Sequence, residues 1–444
     1  MGNEELFDQV ADVIVVGSGG AGYAAAVAAA SAGADVIILE WAETVGGTTA
    51  AGGATAWVPN NPSMHALHGL DDPRDDALRY MCRLAYPQHY DPTSPTLGLD
   101  ARAFELIATF YDRGAEMLAY FERIDALRLE SELGYPDYHA DLPENVRPRG
   151  RHLHPPAGAG GLIDQLAAAG ERLGVRVLLA HRVVDVLRNE AGEVIGVEAR
   201  TGTRTVLCRA NRAVVFGTGG FLHDPDLVRT YLPGKVFGGC SVPTTAGDFV
   251  RIGQRLGAPL EGMHRSWWKQ VLVEQAIDNP HAGGTFLPFG DSMIQVNKYG
   301  RRVVNEKSPY NERSQVHFHW NPALREYSNL LMFMVWDSAV ASNPLQWPFR
   351  PPVPMPGETS PWVIRGDSWE DLAAAIDARL ERIAAHTGGA RLDAGFVATL
   401  KDSVARFNEF ARGGVDHDFR RGQTPIEIDW NGPGRGDWPN PTMA

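Results

Sequence analysis

The sequence predicts an α/β protein of two domains. A Rossmann-like, doubly wound sheet with a β-meander insertion is expected over residues 1–270, and an α+β domain over residues 271–444. Three observations predict this. An apolar strand pattern runs directly into a glycine-rich turn at residues 17–22. Short strand patterns separated by turn residues cluster between residues 175 and 216. Beyond about residue 270 glycine fingerprints stop, while aromatic residues and prolines rise.

The first element is Asp12-Val13-Ile14-Val15-Val16, followed by Gly17-Ser18-Gly19-Gly20-Ala21-Gly22, an alanine-rich run, Val36-Ile37-Ile38-Leu39 and Glu40. Strand, glycine turn, helix, strand and acid stand in the order that a dinucleotide site requires. Gly17 allows the tight turn, Gly19 lets a pyrophosphate approach the backbone, and Gly22 lets the helix lie against the strand. The helix N-terminus offers N–H groups and a positive dipole end. Glu40 can accept hydrogen bonds from a ribose diol and disfavours a 2′-phosphate, so NADP is not expected. Val13 to Ala34 carries no charge and has the length of a membrane span. Glycine and serine interrupt it, however, and Glu4, Glu5 and Asp8 precede it where a secretory leader would be basic. No transmembrane segment or signal is expected.

Thr44 to Gly53 is a glycine and threonine loop, either a ligand contact or an ordinary flexible connection. Trp57-Val58-Pro59-Asn60-Asn61-Pro62 is expected to stop regular structure. Residues 101–128 read as a helix, as do residues 161–174. Strand patterns follow at 175–179, 183–187, 194–199 and 205–208, then a further buried strand, Ala213 to Phe216, enters the turn Gly217-Thr218-Gly219-Gly220. That strand is expected to return to the first sheet. Thr244 to Asp248 opens a helix. Asn343 to Pro361 holds seven prolines and reads as a surface loop or clasp. Helices are predicted at 367–386, capped by Asp367 or Ser368, and at 393–412, stopped by Gly413.

The 444-residue chain has a net charge of −13, which excludes a nucleic-acid binder. Cys82, Cys208 and Cys240 form no CxxC pair, which excludes a disulfide scaffold and a cysteine zinc site and fits the cytoplasm. His139, His152 and His154 lack a nearby carboxylate run, so no metal is expected.

These residues resemble the FAD-dependent fumarate reductase and 3-ketosteroid dehydrogenase superfamily over nearly the whole chain. Gly17 to Gly22 with Glu40, Gly46-Gly47-Thr48-Thr49 and Gly217 to Gly220 match its FAD domain. The 3-ketosteroid Δ1-dehydrogenase branch is similar also at Trp57 to Asn61, at Tyr135-Pro136-Asp137-Tyr138-His139, at Tyr299 to Tyr310, and at Ala405 to Arg412 with Phe419 to Gly422. The resemblance implies non-covalent FAD in the first domain, no histidine standing between Glu40 and Gly53, and a second domain that caps the isoalloxazine. It implies a cofactor set of Gly17, Ser18, Gly19, Gly20, Ala21, Gly22, Glu40, Trp41, Gly46, Gly47, Thr48, Thr49, Gly52, Gly53, Val183, Gly217, Thr218, Gly219 and Asp248. The family's catalytic tyrosine base falls on Tyr310, and a second active-site tyrosine falls at Tyr138 or His139. Where fumarate reductases carry a proton-donating arginine, this chain reads Phe289-Gly290-Asp291-Ser292. Family members also carry a last FAD-domain segment, and the residues of that segment are not expected in this chain.

The expected reaction is FAD-dependent desaturation of a C–C bond next to the ketone of a bulky, apolar, steroid-like substrate. It needs a base for the α-proton, donors for the enolate oxygen and a flavin for the hydride. A tyrosine base, with its ordinary pKa near 10, needs donors or cations nearby. Arg301, Arg302, Lys307 and Arg313 are near in sequence, and Asn305 and Glu306 are expected to brace the loop. Tyr310 has the alternative of an ordinary packed aromatic, and Trp267 and Trp268 of core rather than pocket. Two alternative functions stand beside dehydrogenation: a flavin-dependent reductase of an activated C=C bond, and a flavoprotein subunit that needs a second polypeptide. The electron acceptor is not defined by the sequence.

Overall fold

The computed structural model describes residues 7–281, 292–342, 353–431 and 438–443. Of two compact units, the first comprises Met1–Thr230 and Ser241–Gly262 and is built on a six-stranded sheet. Across the sheet the order is Arg176–Leu178, Val36–Leu39, Gln9–Val16, Arg204–Phe216, Val194–Thr201 and Arg182–Arg188. The first four strands are parallel and the last two antiparallel.

Strand alternation distributes this core. Val13, Val15, Val36 and Ile38 face the helices Gly20–Ser31 and Leu162–Arg172, meeting Tyr23, Ala26, Val27, Ile163 and Leu166. Ile14, Val16, Ile37 and Leu39 face the other way, toward Val183, Val197, Ala199, Cys208 and Ile252. Burial on both faces explains why these strands are near-continuous apolar runs.

Three local expectations change. The strand expected at 175–179 is not part of the meander: Ile37, Ile38 and Leu39 pair in parallel with Arg176, Val177 and Leu178. The patterns at 205–208 and 213–216 are one 13-residue strand, Arg204–Phe216, with no glycine or proline to divide it. Its first half pairs with the meander and much of its length with Gln9–Val16, so one strand joins both parts of the sheet. Trp57 does not end regular structure. Ala56–Trp57 pairs with Leu153 and His152 in a three-stranded antiparallel sheet completed by Glu130–Ser131. Pro62 then begins the helix Pro62–His68, where Asn61 Oδ1 accepts from Met64 N at 2.9 Å. Proline at the first helical position lacks only an N–H that would have been unsatisfied there.

The second unit comprises Tyr231–Cys240 and Met263–Ala444. Ile294–Val296 pairs antiparallel with Phe333–Val335, and Trp320–Asn321 with Glu326–Tyr327. Helices Trp369–Arg382 and Phe396–Gly413 bury Ile376, Leu380, Phe396, Leu400 and Phe407 against Ile294 and Val296. Ser368 caps the first, its Oγ accepting from Asp371 N at 3.1 Å. The second ends one residue later than expected, at Gly414 with φ 75°. Residues 343–352 of the proline-rich stretch lie outside the described residues. No helix among the described residues is long and apolar enough to cross a membrane.

Candidate functional site

In the first unit three glycine backbones touch. A Cβ on Gly22 would stand 1.9 Å from Gly17 O, and one on Gly17 would stand 2.6 Å from Gly217 O. The strand, the helix and the returning strand thus converge at a point where no side chain fits. Gly19 differs. A Cβ there would meet nothing nearer than Thr49 Oγ1 at 3.8 Å, so space opens in front of the helix Gly20–Ser31. That helix has no side-chain cap and no acid in its first turn, and one of its N–H groups, Gly20 N, donates to Thr49 Oγ1 at 3.0 Å. Uncapped donors beside an open glycine face suit a diphosphate.

Glu40 closes the second strand, 6% exposed. Its Oε2 accepts from Ser18 N at 2.9 Å and Ser18 Oγ at 2.6 Å, and its Oε1 from Ala42 N at 2.7 Å. Each carboxylate oxygen has room for about two bonds, so Oε1 keeps one free for a ribose hydroxyl. Ser18 Oγ also accepts from Gly46 N at 3.0 Å, which ties the first glycine turn to the 44–53 loop. There Gly47–Ala51 is a short helix followed by Gly52 and Gly53, and Thr48 Oγ1 accepts from Val242 N at 3.2 Å. Ala21 lies in the first turn of the helix, and Thr218 and Gly219 follow the returning strand.

Trp41, Val183 and Asp248 meet around a residue that sequence reasoning missed. The Arg182 guanidinium lies 3.8 Å from the Trp41 ring centroid and donates to Asp248 Oδ1 at 2.7 Å and Oδ2 at 3.1 Å. Val183 buries its side chain in the core on the edge strand of the sheet, so a ligand could reach only its main chain. No local motif marks Arg182; only its spatial neighbours do.

Tyr138 and His139 also belong to the first unit, both half-buried. Asp137, just before them, belongs to a buried cluster. Arg151 donates to Asp137 Oδ2 at 2.8 Å and to Asp72 at 2.7 and 2.8 Å, and Trp57 Nε1 donates to Asp137 Oδ1 at 2.7 Å. Burial raises the pKa of Asp137 and outweighs the charge of Arg151 and the hydrogen bonds from Trp57, Asn145 and Arg151, which lower it. His152 Nδ1 and His154 Nε2 lie 3.8 and 3.7 Å from Glu132 Oε2.

Tyr310 belongs to the second unit and opens the short helix Tyr310–Ser314. Trp267, 65% exposed, meets its ring edge-on at 6.1 Å between centroids. The segment before it is anchored by Glu306, fully buried, whose carboxylate accepts from Gln295 N at 3.0 Å, Arg302 at 2.9 and 2.8 Å, and Arg421 at 3.2 Å. Asn305 Nδ2 donates to Glu427 Oε1 at 2.9 Å, and Asn305 Oδ1 accepts from Lys307 N at 2.9 Å. Asn305 and Glu306 therefore brace the loop, as the sequence leads one to expect. Arg302 is engaged by Glu306 and Asp416, whereas Lys307 and Arg313 are buried on either side of Tyr310 along the chain. Trp268 packs on Phe318 at 4.6 Å. Phe289, Gly290 and Asp291 lie outside the described residues.

The chain belongs to the FAD binding domain family, whose model matches residues 12–441. It is an FAD-dependent dehydrogenase of flavoprotein oxidoreductase fold. It is 29% identical to 4-oxocyclohexanecarboxylate 2-dehydrogenase of Sinomonas cyclohexanicum, over 98% of this chain and 79% of that protein. With 3-oxosteroid 1-dehydrogenase of Mycolicibacterium smegmatis the identity is 26%, over 98% and 84% of the two chains. The solved 3-ketosteroid Δ1-dehydrogenase of Sterolibacterium denitrificans shares the fold, with a TM-score of 0.75 and 22% identity over 95% of this chain and 83% of that one. The first unit fits FAD on its own geometry. Three backbones too close for side chains surround an open glycine face, with uncapped N–H groups for a diphosphate and a spare carboxylate lone pair for a ribose.

Proposed function

We propose that the protein desaturates the C–C bond next to the ketone of a cyclic, largely apolar substrate, giving an enone. The first unit is the cofactor domain, with Gly19, Gly20 and Ala21 at the diphosphate, Glu40 at the ribose, and the Trp41–Arg182–Asp248 group beside them. The second unit is the catalytic domain. When bound, FAD supplies the acceptor for the hydride that leaves the β-carbon.

The rest falls to side chains. Tyr310 takes the α-proton. Tyr138 or His139 is the second active-site group, held by the rigid Asp137–Arg151 cluster. Exposed Trp267, edge-on to Tyr310, offers an apolar face on which a flat ring can lie, and this contact carries the reading. The steroid and the oxocyclohexane named for the two curated relatives are both cyclic ketones, which supports the substrate class. Three free cysteines fit a cytoplasmic setting.

Reduction of an activated double bond is the second reading. It is supported by a fumarate reductase of Shewanella frigidimarina, 23% identical over 93% of this chain and 63% of that protein. Anaerobic mixing of the yellow protein with a 3-oxosteroid or with 4-oxocyclohexanecarboxylate tests the choice. Bleaching of the flavin without added reductant is expected. Bleaching only by dithionite, reversed by fumarate or an enone, would replace this reading with the second. Tyr310→Phe is expected to slow substrate-driven bleaching by about 10²–10⁴-fold with FAD still bound, and undiminished bleaching would remove Tyr310 as the base.

A further inference from the structure

A cavity of about 710 Å³ lies wholly within the second unit. Trp268, Phe333, Val335, Ile376 and Leu380 are among its walls, and Tyr310 is not. Its size and apolar character are those of a small-molecule site. Of the charged groups on the lining, Arg379 donates to Glu274 Oε1 at 2.7 Å, Asp337 Oδ1 accepts from Val340 N at 3.0 Å, and Lys269 meets the Cys240 thiol.

One wall is polar, formed by the buried Gln270 and Gln295 with the half-buried His317. Its hydrogens can be assigned. Arg313 Nε can only donate, and it meets Gln270 Oε1 at 2.9 Å, which fixes the orientation of that amide. Gln270 Nε2 then spends both hydrogens, on Gln295 Oε1 at 3.2 Å and on His317 Nε2 at 2.9 Å. His317 Nδ1 lies 2.7 and 3.2 Å from the carbonyls of Asn329 and Leu330, so Nδ1 carries the proton and Nε2 accepts. Burial lowers the pKa of His317 and keeps the ring neutral. Gln295 Nε2 returns one hydrogen to Gln270 Oε1 at 2.9 Å. Its second hydrogen has no acceptor among the described residues, although Gln295 is only 2% exposed. A buried donor left over beside an apolar cavity calls for an acceptor from outside.

We propose that this cavity is a second small-molecule site, which Ser314 of the Tyr310–Ser314 helix lines but Tyr310 itself does not, for an uncharged apolar compound carrying a carbonyl oxygen. The carbonyl accepts the spare Gln295 hydrogen, and the apolar body lies along the aromatic and aliphatic walls. Occupancy needs no redox step, so the site goes beyond the proposed reaction.

Benzophenone is a suitable probe: it is uncharged, has a carbonyl, and has no α-hydrogen to lose, so the enzyme cannot desaturate it. Illuminated with the FAD-loaded full-length protein, it is expected to label saturably the peptides that contain Phe333–Val335 or Ile376–Leu380. Gln295→Leu is expected to weaken half-saturation roughly fivefold, the worth of one neutral hydrogen bond. Ala341→Trp, which fills the cavity from its lining and leaves the glutamines in place, is expected to abolish the labelling. FAD content and melting temperature establish that each variant is folded. Labelling that is absent, that maps elsewhere, or that persists unchanged in folded Ala341→Trp overturns the site, with water as the occupant in the first case. Tyr310→Phe is expected to label like the wild type. Failure of substrate-driven bleaching with labelling intact would therefore count against the reaction and leave this site standing.

Discussion

The two units hold their functional residues by opposite means. In the first, Gly17, Gly22 and Gly217 meet backbone to backbone, and the site is defined by side chains that are missing. In the second, the segment leading to Tyr310 is fixed by side chains drawn from distant parts of the chain: Glu306 gathers Arg302 and Arg421, and Asp416 takes the other side of Arg302. A backbone cradle needs only local sequence and tolerates no added atom. A side-chain brace can be redesigned residue by residue, but it fails when one charge is lost, because its partners are then buried and unpaired.

The buried charges differ as well. Arg302, Arg421, Glu306 and Asp416 balance, two against two. In the first unit Asp72 and Asp137 share the single Arg151. The pKa of Asp137 shifts in the opposite direction to those of Glu306 and Asp416. Burial works against the charge of Glu306 and Asp416, but the hydrogen bonds and charge of Arg302 outweigh it and hold both below the ordinary range. Burial prevails at Asp137 and raises it.

The largest expected effect tests the brace. Glu306→Gln leaves Arg302 and Arg421 short of a counter-charge and should destabilise the second unit by about 3–5 kcal/mol, read as early proteolysis within residues 263–444. A loss of less than about 1 kcal/mol would show that water reaches the cluster. Next comes the cradle. Gly22→Ala forces a Cβ against Gly17 O and should cost about 3 kcal/mol, with visible flavin absorbance lost from the purified polypeptide; a yellow, stable variant would refute the close approach. Gly19→Ala sharpens the contrast. Having open space, it should change the stability of the unliganded protein by no more than about 0.5 kcal/mol, yet weaken FAD binding measurably in a titration of the apoprotein. Equal damage from both glycines would mean that Gly19 is structural.

Acid separates the units by a smaller amount. The stabilisation from Glu306 and Asp416 is complete above the ordinary carboxylate range near pH 4 and is lost as pH falls through their lower folded values. Asp137 has the reverse sign: its raised folded pKa means that it takes up a proton in the folded state first, and that unit gains relative stability as pH falls through that value. Hydrogen exchange followed from neutral pH downward should therefore show protection lost in the second unit before the first. The opposite order would contradict these shifts.

Much of the first unit could be read directly. The glycine turn, both buried strands, the helix and Glu40 lie within one stretch of chain, and local rules suffice there. Reading failed where pairing partners were distant. Nothing local tells that Arg176–Leu178 joins Val36–Leu39, or that one strand runs unbroken through Asn211 and Arg212 from the meander into the parallel sheet. Trp57 gave a stop signal because Pro59 and Pro62 follow it, but its partner strand stands almost a hundred residues on. The roles of Asn305 and Glu306 were legible through the motif around them. Arg182 was not, because what distinguishes it is a ring and a carboxylate remote in the chain.

By itself the sequence determined the cofactor class, since phosphate approach, turn geometry and ribose recognition depend on glycines and an acid at short spacing, where backbone sterics act. Only the tertiary structure decided that Arg302 is taken up by Glu306 and Asp416, how Arg182 bridges Trp41 and Asp248, and that Gln295 keeps a buried hydrogen to give. Those outcomes rest on hydrogen-bond and charge counts among residues far apart in the chain, and such counts exist only once the chain has folded.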